Sequence, residues 1–145
     1  MNYKKIIPTL AFAAAILTST GCPAPNKEVQ AIGEISGTIS WDKGGERPDP
    51  SVIGDAISIT PVTSTNRIPL TGATVVFGNP SDSGSRVMVT YKVSKLPLDT
   101  AIQLEVKPKR VQGSFLRDGN PQDAICTLAQ PTVSNFDFHF VPAPK

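Results

Sequence analysis

Arg86 to Pro97 reads RVMVTYKVSKLP, and apolar residues fall on every second position. Val87, Val89, Tyr91 and Val93 share one side, while Met88, Thr90, Lys92 and Ser94 share the other. A period of two is the signature of a strand with one buried face. The same alternation appears in TAIQLEVKP, where Ile102, Leu104 and Val106 oppose Gln103, Glu105 and Lys107. It appears again in NFDFHFVP, where Phe136, Phe138 and Phe140 oppose Asp137 and His139. Weaker strands are predicted at EISGTISW (Ile35, Ile39 and Trp41 inward), DAISITPV (Ile57 and Ile59) and ATVVFG (Val75 and Phe77), with a seventh over residues 124–128. Proline and glycine recur too often after residue 26 for long helices. About seven short strands, each with one apolar face, must bury those faces against one another. The expectation is all-β: an antiparallel β-sandwich of two packed sheets, Ig-like or transthyretin-like, forming a single domain over residues 34–145.

Between the strands, residues 42–54 (DKGGERPDPSVIG) and 111–123 (VQGSFLRDGNPQD) read as long loops, and residues 79–85 (NPSDSGS) as a turn. Long loops in compact domains either carry function or simply connect. The second loop holds Phe115, Leu116 and Arg117, an apolar-plus-arginine combination enriched at interfaces. These three residues are the candidate partner-binding group. Burial of Phe115 in the domain's own core is the competing expectation.

The N-terminal pattern is different. Lys4 and Lys5 precede an apolar run over residues 6–17. At 1.5 Å per residue this run makes a helix of about 18 Å, short of the ~30 Å hydrocarbon core of a bilayer. It therefore reads as a secretory leader. Thr18-Ser19-Thr20-Gly21-Cys22 follows, small residues and then a cysteine, and this resembles the lipobox of bacterial lipoproteins. The resemblance implies cleavage before Cys22 and acylation of that residue, with residues 1–21 as signal peptide and 22–33 as a tether. Pro23 rather than Asp after the cysteine implies the outer membrane rather than the inner. Without lipid, Cys22 would be an ordinary thiol. Each buried CH₂ of an acyl chain contributes about 0.8 kcal/mol, so two or three chains would anchor the protein to the membrane without a spanning helix.

Losing the leader changes the charge. Fourteen basic residues stand against 12 acidic ones, and removal of Lys4 and Lys5 leaves 12 against 12. A neutral domain lacks the basic face that nucleic acid requires. The one basic cluster, Lys107, Lys109 and Arg110, reads as a solvated strand end. If Cys22 is acylated, Cys126 has no intrachain partner. It sits in the apolar run 124–128 and is expected to be a small buried core residue.

ISGTI, YKVSKLPLDTAIQLEV and VSNFDFHF resemble the first strand, central strand pair and closing strand of carboxypeptidase-regulatory-like domains. That resemblance implies a transthyretin-like sandwich with a stabilising or binding role, and it carries over no catalytic residue. The residues themselves point the same way. His139 is the one histidine and alternates outward beside Asp137, so a Ser-His-Asp arrangement has little to build on. One histidine and one core cysteine fall short of a zinc site. Asp42, Glu46, Asp49 and Asp55 crowd one loop and Asp118, Asn120 and Asp123 another, with neither set in calcium-loop spacing. Trp41 ends a strand, where it either stacks on a sugar or fills the core rim. No cofactor is implied. The expected function is a lipid-anchored, non-catalytic binding or structural module of the cell envelope, touching an envelope protein or surface polymer through loops or a strand edge. The alternative is a hydrolase using loop carboxylates.

Mass spectrometry of the N-terminus purified from membranes should show an acylated Cys22, and Cys22→Ser should leave unprocessed precursor or a soluble product. An unmodified Cys22 in the membrane-extracted protein would remove the anchor.

Overall fold

A computed structural model describes residues 32–120 and 124–145; Cys22, the leader and most of the tether lie outside these residues. Strand β1 (Ile32–Asp42) begins within the stretch expected to be tether. It is followed by β2 (Ile57–Thr63), β3 (Thr74–Phe77), β4 (Ser81–Ser83), β5 (Arg86–Pro97) and β6 (Ala101–Pro108). Then come β7 (Gly113–Leu116), β8 (Ile125–Thr127), β9 (Thr132–Val133) and β10 (Phe138–Pro142). Among the described residues these form a larger sheet, ordered β3-β5-β1-β10-β7 with β4 on β5 and β9 on β1, and a smaller one, β2-β6-β8. The chain is an all-β sandwich, and its core lies between the two apolar faces.

The period-two patterns place the core as predicted. Ile35, Ile39, Trp41, Val87, Val89, Tyr91 and Val93 face inward from the larger sheet, and Ile57, Ile59, Ile102, Leu104 and Val106 form the opposing layer. Phe136, Phe138 and Phe140 join them, each 3% exposed. Burying a side chain of this size stabilises by about 1.5–3 kcal/mol. Alternation alone would turn Leu96 to solvent, since Val93 is three positions away. A bulge reverses it: Lys95 takes a left-handed φ of 63°, the register with β1 shifts between Gly33 and Ile35, and both Val93 and Leu96 enter the core.

The larger sheet is mixed rather than purely antiparallel. β1 pairs with β5 antiparallel, but with β9 and β10 parallel. The reason is connectivity. β8 belongs to the smaller sheet, so the chain crosses between layers before β9 and reaches β1 without a hairpin to reverse it. Three strands were not foreseen. β4 is all polar and exposed, lying on β5 across a tight turn at Gly84 (φ 58°); β7 and β9 are too short to show a period.

The parallel seam is interrupted. Between the pairs Ile35–Val133 and Ile39–Phe138, β1 has three residues and its partner four. Asn135 absorbs the extra residue at φ 60°, a conformation asparagine tolerates. Phe136 then crosses β1 at Gly37, where a Cβ would stand 2.3 Å from the Phe136 carbonyl oxygen. Tyr91, opposite Gly37 in register, donates its hydroxyl to that same carbonyl. The Phe136 amide donates to Ser36 O (3.1 Å), and the Asp137 carboxylate accepts from the Thr38 amide (2.7 Å). Every polar group at the crossing named here has a partner within the chain.

Gly37→Ala should therefore destabilise by at least about 2 kcal/mol through backbone overlap. Tyr91→Phe should cost about 1–3 kcal/mol because the Phe136 carbonyl loses its buried donor. Burial first, and the nearby Asp137 charge second, push the Tyr91 hydroxyl well above its ordinary pKa. The folded state thus keeps a proton that the unfolded chain loses near pH ~10. Stability should be unaffected by Tyr91 below that pH and should fall above it. Denaturant melts at pH 8 and 11 should show a smaller alkaline loss for Tyr91→Phe than for the wild type.

Candidate functional site

The residues that alternate with the core define the outer face of the larger sheet. β1 presents Ser36, Thr38 and Ser40; β5 presents Met88, Thr90 and Lys92; β10 presents His139 and Val141. Most of these side chains are short and polar, and the elements around them rise higher. A trough of about 490 Å³ lies over Ser36, Thr38 and Thr90, walled on one side by Val76–Gly78 and on the other by Ser134, Asn135 and Asp137. Gly78 matters to that wall, since a Cβ there would meet Thr90 Oγ1 at 2.2 Å. A second depression of about 320 Å³ adjoins the first at Asp137 and is lined by Ser40, Arg86, Leu116, Asp118 and His139. A third, about 340 Å³, adjoins the second at Leu116 and Val141 and ends against Pro142 and Pro144. The three form one furrow that crosses the strands from β3 to β7.

Within the furrow, His139 Nδ1 lies 3.0 Å from Ser40 Oγ. The Ser40 hydroxyl also reaches the Phe138 carbonyl at 3.3 Å. The pair links two adjacent strands, β1 and β10, and the imidazole tautomer sets which partner donates. The charges in and beside the furrow are partnered within the chain: Lys92 with Glu34 at 3.4 Å, Arg86 with Asp42 at 3.2 Å, and Asp137 with the Thr38 amide. Exposed ion pairs of this kind contribute about 0–1 kcal/mol. The two ion pairs cancel, and Asp137 and Asp118 leave the furrow mildly negative.

The residues singled out in the sequence fall elsewhere or change role. Phe115 is not on a loop. It belongs to β7, is 5% exposed, and its ring packs 5.2 Å from that of Phe140. Burial removes it as a contact group, because β7 adds an inward position that four residues were too few to reveal. Leu116 is half-buried and faces the furrow, opposite His139. The Arg117 guanidinium covers the Phe136 ring at 4.3 Å, a cation–π contact over the core crossing. Arg117 and Asn120 close a tight hairpin through Asp118 (φ 49°) and Gly119 (φ 79°). Asp-Gly between two extended segments is the sequence signal that could have exposed β7.

Trp41 is fully buried, so it stacks on no sugar, and its indole N–H has no acceptor among the described residues. Cys126 is half-buried rather than enclosed, packing against the core from β8. Burial raises its thiol pKa, with Arg117 opposing weakly. The loop 42–54 is partly ordered by packing: Pro48 is buried, and a 3₁₀ turn (Pro50–Val52) runs into a single helical turn, α1 (Ile53–Ala56), that buries Ile53 and Ala56. Its carboxylates are engaged separately. Asp42 meets Arg86, Glu46 accepts from the Gln112 amide at 3.2 Å, and Asp55 lies 3.9 Å from Arg110. Asp49 accepts from Ser51, which lowers its pKa. In the basic cluster, Lys107 pairs with Glu105 at 2.8 Å and Lys109 donates to Gly54 O at 2.6 Å. Arg67 also reaches Glu105, and these two cations hold its carboxyl below the usual range, Lys107 foremost. Among the described residues no three His, Cys, Asp or Glu side chains are grouped to hold a metal ion. No helix of these residues is long and apolar enough to cross a membrane.

No family model, curated protein or solved structure matches the chain.

Phe115→Ala should lower stability by about 3–5 kcal/mol, as for a core phenylalanine. His139→Ala should cost about 1 kcal/mol or less, the net value of one hydrogen bond. Chemical denaturation of the two variants checks the ranking, and the reverse order would mean that β7 and β10 are misregistered.

Proposed function

We propose that the protein is a lipid-anchored, non-catalytic binding module of the bacterial envelope. In this reading Cys22 carries the lipid, the chain after it tethers the sandwich to the membrane, and the sandwich contacts a second envelope component, a protein or a surface polymer. The resemblance to carboxypeptidase-regulatory-like domains belongs to the same reading, since it implies a scaffold whose work is binding. The observation that carries the proposal is the furrow on the outer face of the larger sheet. It is open, has a floor of strand residues flanked by the segments after β3 and before β10, and sets apolar groups at its ends beside polar ones, a mixed lining that a binding site requires. Contact is thereby assigned to the sheet face and to Leu116 beside it, and Phe115 is withdrawn. The hydrolase alternative is weakened by the carboxylates of the first loop, Asp42, Glu46, Asp49 and Asp55, which are tied to separate neighbours.

A photo-crosslinking residue placed at Thr90 or at Leu116 in native membranes should give discrete adducts. The same group at Thr60, on the smaller sheet, should give few. Equal yields from both faces would remove the furrow as the contact surface. Hydrolysis of p-nitrophenyl esters or glycosides by the purified protein, abolished in Ser40→Ala or Asp118→Asn, would replace the module with the enzyme.

A further inference from the structure

We infer that the furrow across the larger sheet is a site for an electrically neutral glycan chain lying across the strands. The inference rests on the binding-module reading and deepens it by naming the ligand class.

Direction is the first argument. The furrow runs diagonally over the sheet, from Val76 and Phe77 by β3, over β5 and β1, past His139 on β10, to Leu116 and to Pro142 and Pro144 at the end of β10, advancing along the strands from the Ser36 row to beyond the Ser40–His139 row as it crosses them. Strands β3-β5-β1-β10-β7 are neighbours in that order. Its across-strand component alone, four interstrand steps of about 4.8 Å, is roughly 19 Å, which calls for a linear ligand several units long. A ligand lying across strands cannot pair with the sheet backbone, whose N–H and C=O groups lie in the sheet plane and serve neighbouring strands. A peptide that reads a sheet through its main chain instead aligns with an edge strand. The occupant of this furrow must be recognised by side chains.

The side chains have a particular chemistry. The floor of the first trough is Ser36, Thr38 and Thr90, and Asn135 stands on its wall, held at φ 60°. Hydroxyl and amide groups can each donate and accept. That dual capacity complements ligand hydroxyls, which also do both, and has no special value toward a carboxylate or phosphate. Charge argues the same way. Lys92 and Arg86 are each paired with an acid of the chain, and Asp118 and Asp137 add negative charge. A polyanion needs a basic track, and none is offered. At the two ends, Val76 (56% exposed) and Val141 (43% exposed) present apolar surface, with Phe77 and Leu116 half-buried beside them. Apolar ends beside a hydroxyl-bearing floor and an amide-bearing wall suit sugar rings, which show C–H groups on their faces and hydroxyls at their rims.

The test is a titration of ¹⁵N-labelled full-length protein in detergent micelles with cellohexaose, chitohexaose, maltohexaose and laminarihexaose, each separately. At least one should produce saturable amide shifts that cluster at Thr38, Thr90, Asn135 and His139. Thr38→Tyr fills the trough. Asn135→Gly removes the amide while keeping the backbone conformation. Each should weaken binding at least tenfold with the melting midpoint unchanged. The inference is overturned if none of the four gives saturable shifts, if the shifts map to the smaller sheet, or if dextran sulfate binds more tightly than the neutral chains at physiological salt. In those cases the Thr90 crosslink separates the two readings. Discrete protein adducts would keep the binding module and discard the glycan, whereas loss of both would discard both.

Discussion

Phe136 crosses β1 at Gly37, where the inward row of that strand has no side chain. Gly37 leaves the space, Tyr91 supplies the buried donor, and Asn135 supplies the left-handed residue that lets the chain arrive there. The crossing sets the larger sheet. It allows β9 and β10 to run parallel to β1 on either side of the interruption, which in turn gives β7 a strand to pair with. Phe136, Phe138 and Phe140 then enter the core together, and Phe138 packs edge-on to Phe136 at 5.7 Å. A side chain at position 37 would displace all of these.

The same crossing shapes the outer surface. Because Phe136 tucks inward, Asp137 turns outward and takes the Thr38 amide, and residues 134–137 rise beside β1 as a wall. Without the extra residue in the seam, the outer face from β3 to β10 would be a plain pleated surface of serines and threonines. The furrow is a by-product of how the core closes. This couples stability to binding: residues at the crossing hold the wall, and their loss should disturb the surface as well as the fold.

The loops that attracted attention in the sequence have a different part. Residues 42–54 place Pro48, Ile53 and Ala56 against the core, and residues 111–120 place Phe115 there. Both segments mainly close the ends and open side of the sandwich. Exposed ion pairs lie at their margins, Asp42 with Arg86 of β5 and Asp55 with Arg110, and pairs of this kind fix little.

Alternation in RVMVTYKV, AIQLEV and FDFHF fixes which residues face inward, because a strand's side chains alternate by covalent geometry whatever the partner. So the all-β class, the inward rows and most of the core were legible from the chain alone. Pairing was not legible. Alternation says which face is apolar and nothing about which strand lies alongside, so the parallel seam of β1 with β10 and the polar edge strand β4 had no local signature. Leu96 in the core required the bulge at Lys95, and Phe115 in the core required β7 to find β10. The furrow is further still from the sequence. Ser36, Thr38, Thr90 and Asn135 are scattered over one hundred positions of chain and become one surface only when two strands and a crossing segment are set side by side, a matter of long-range packing that no short window of residues encodes.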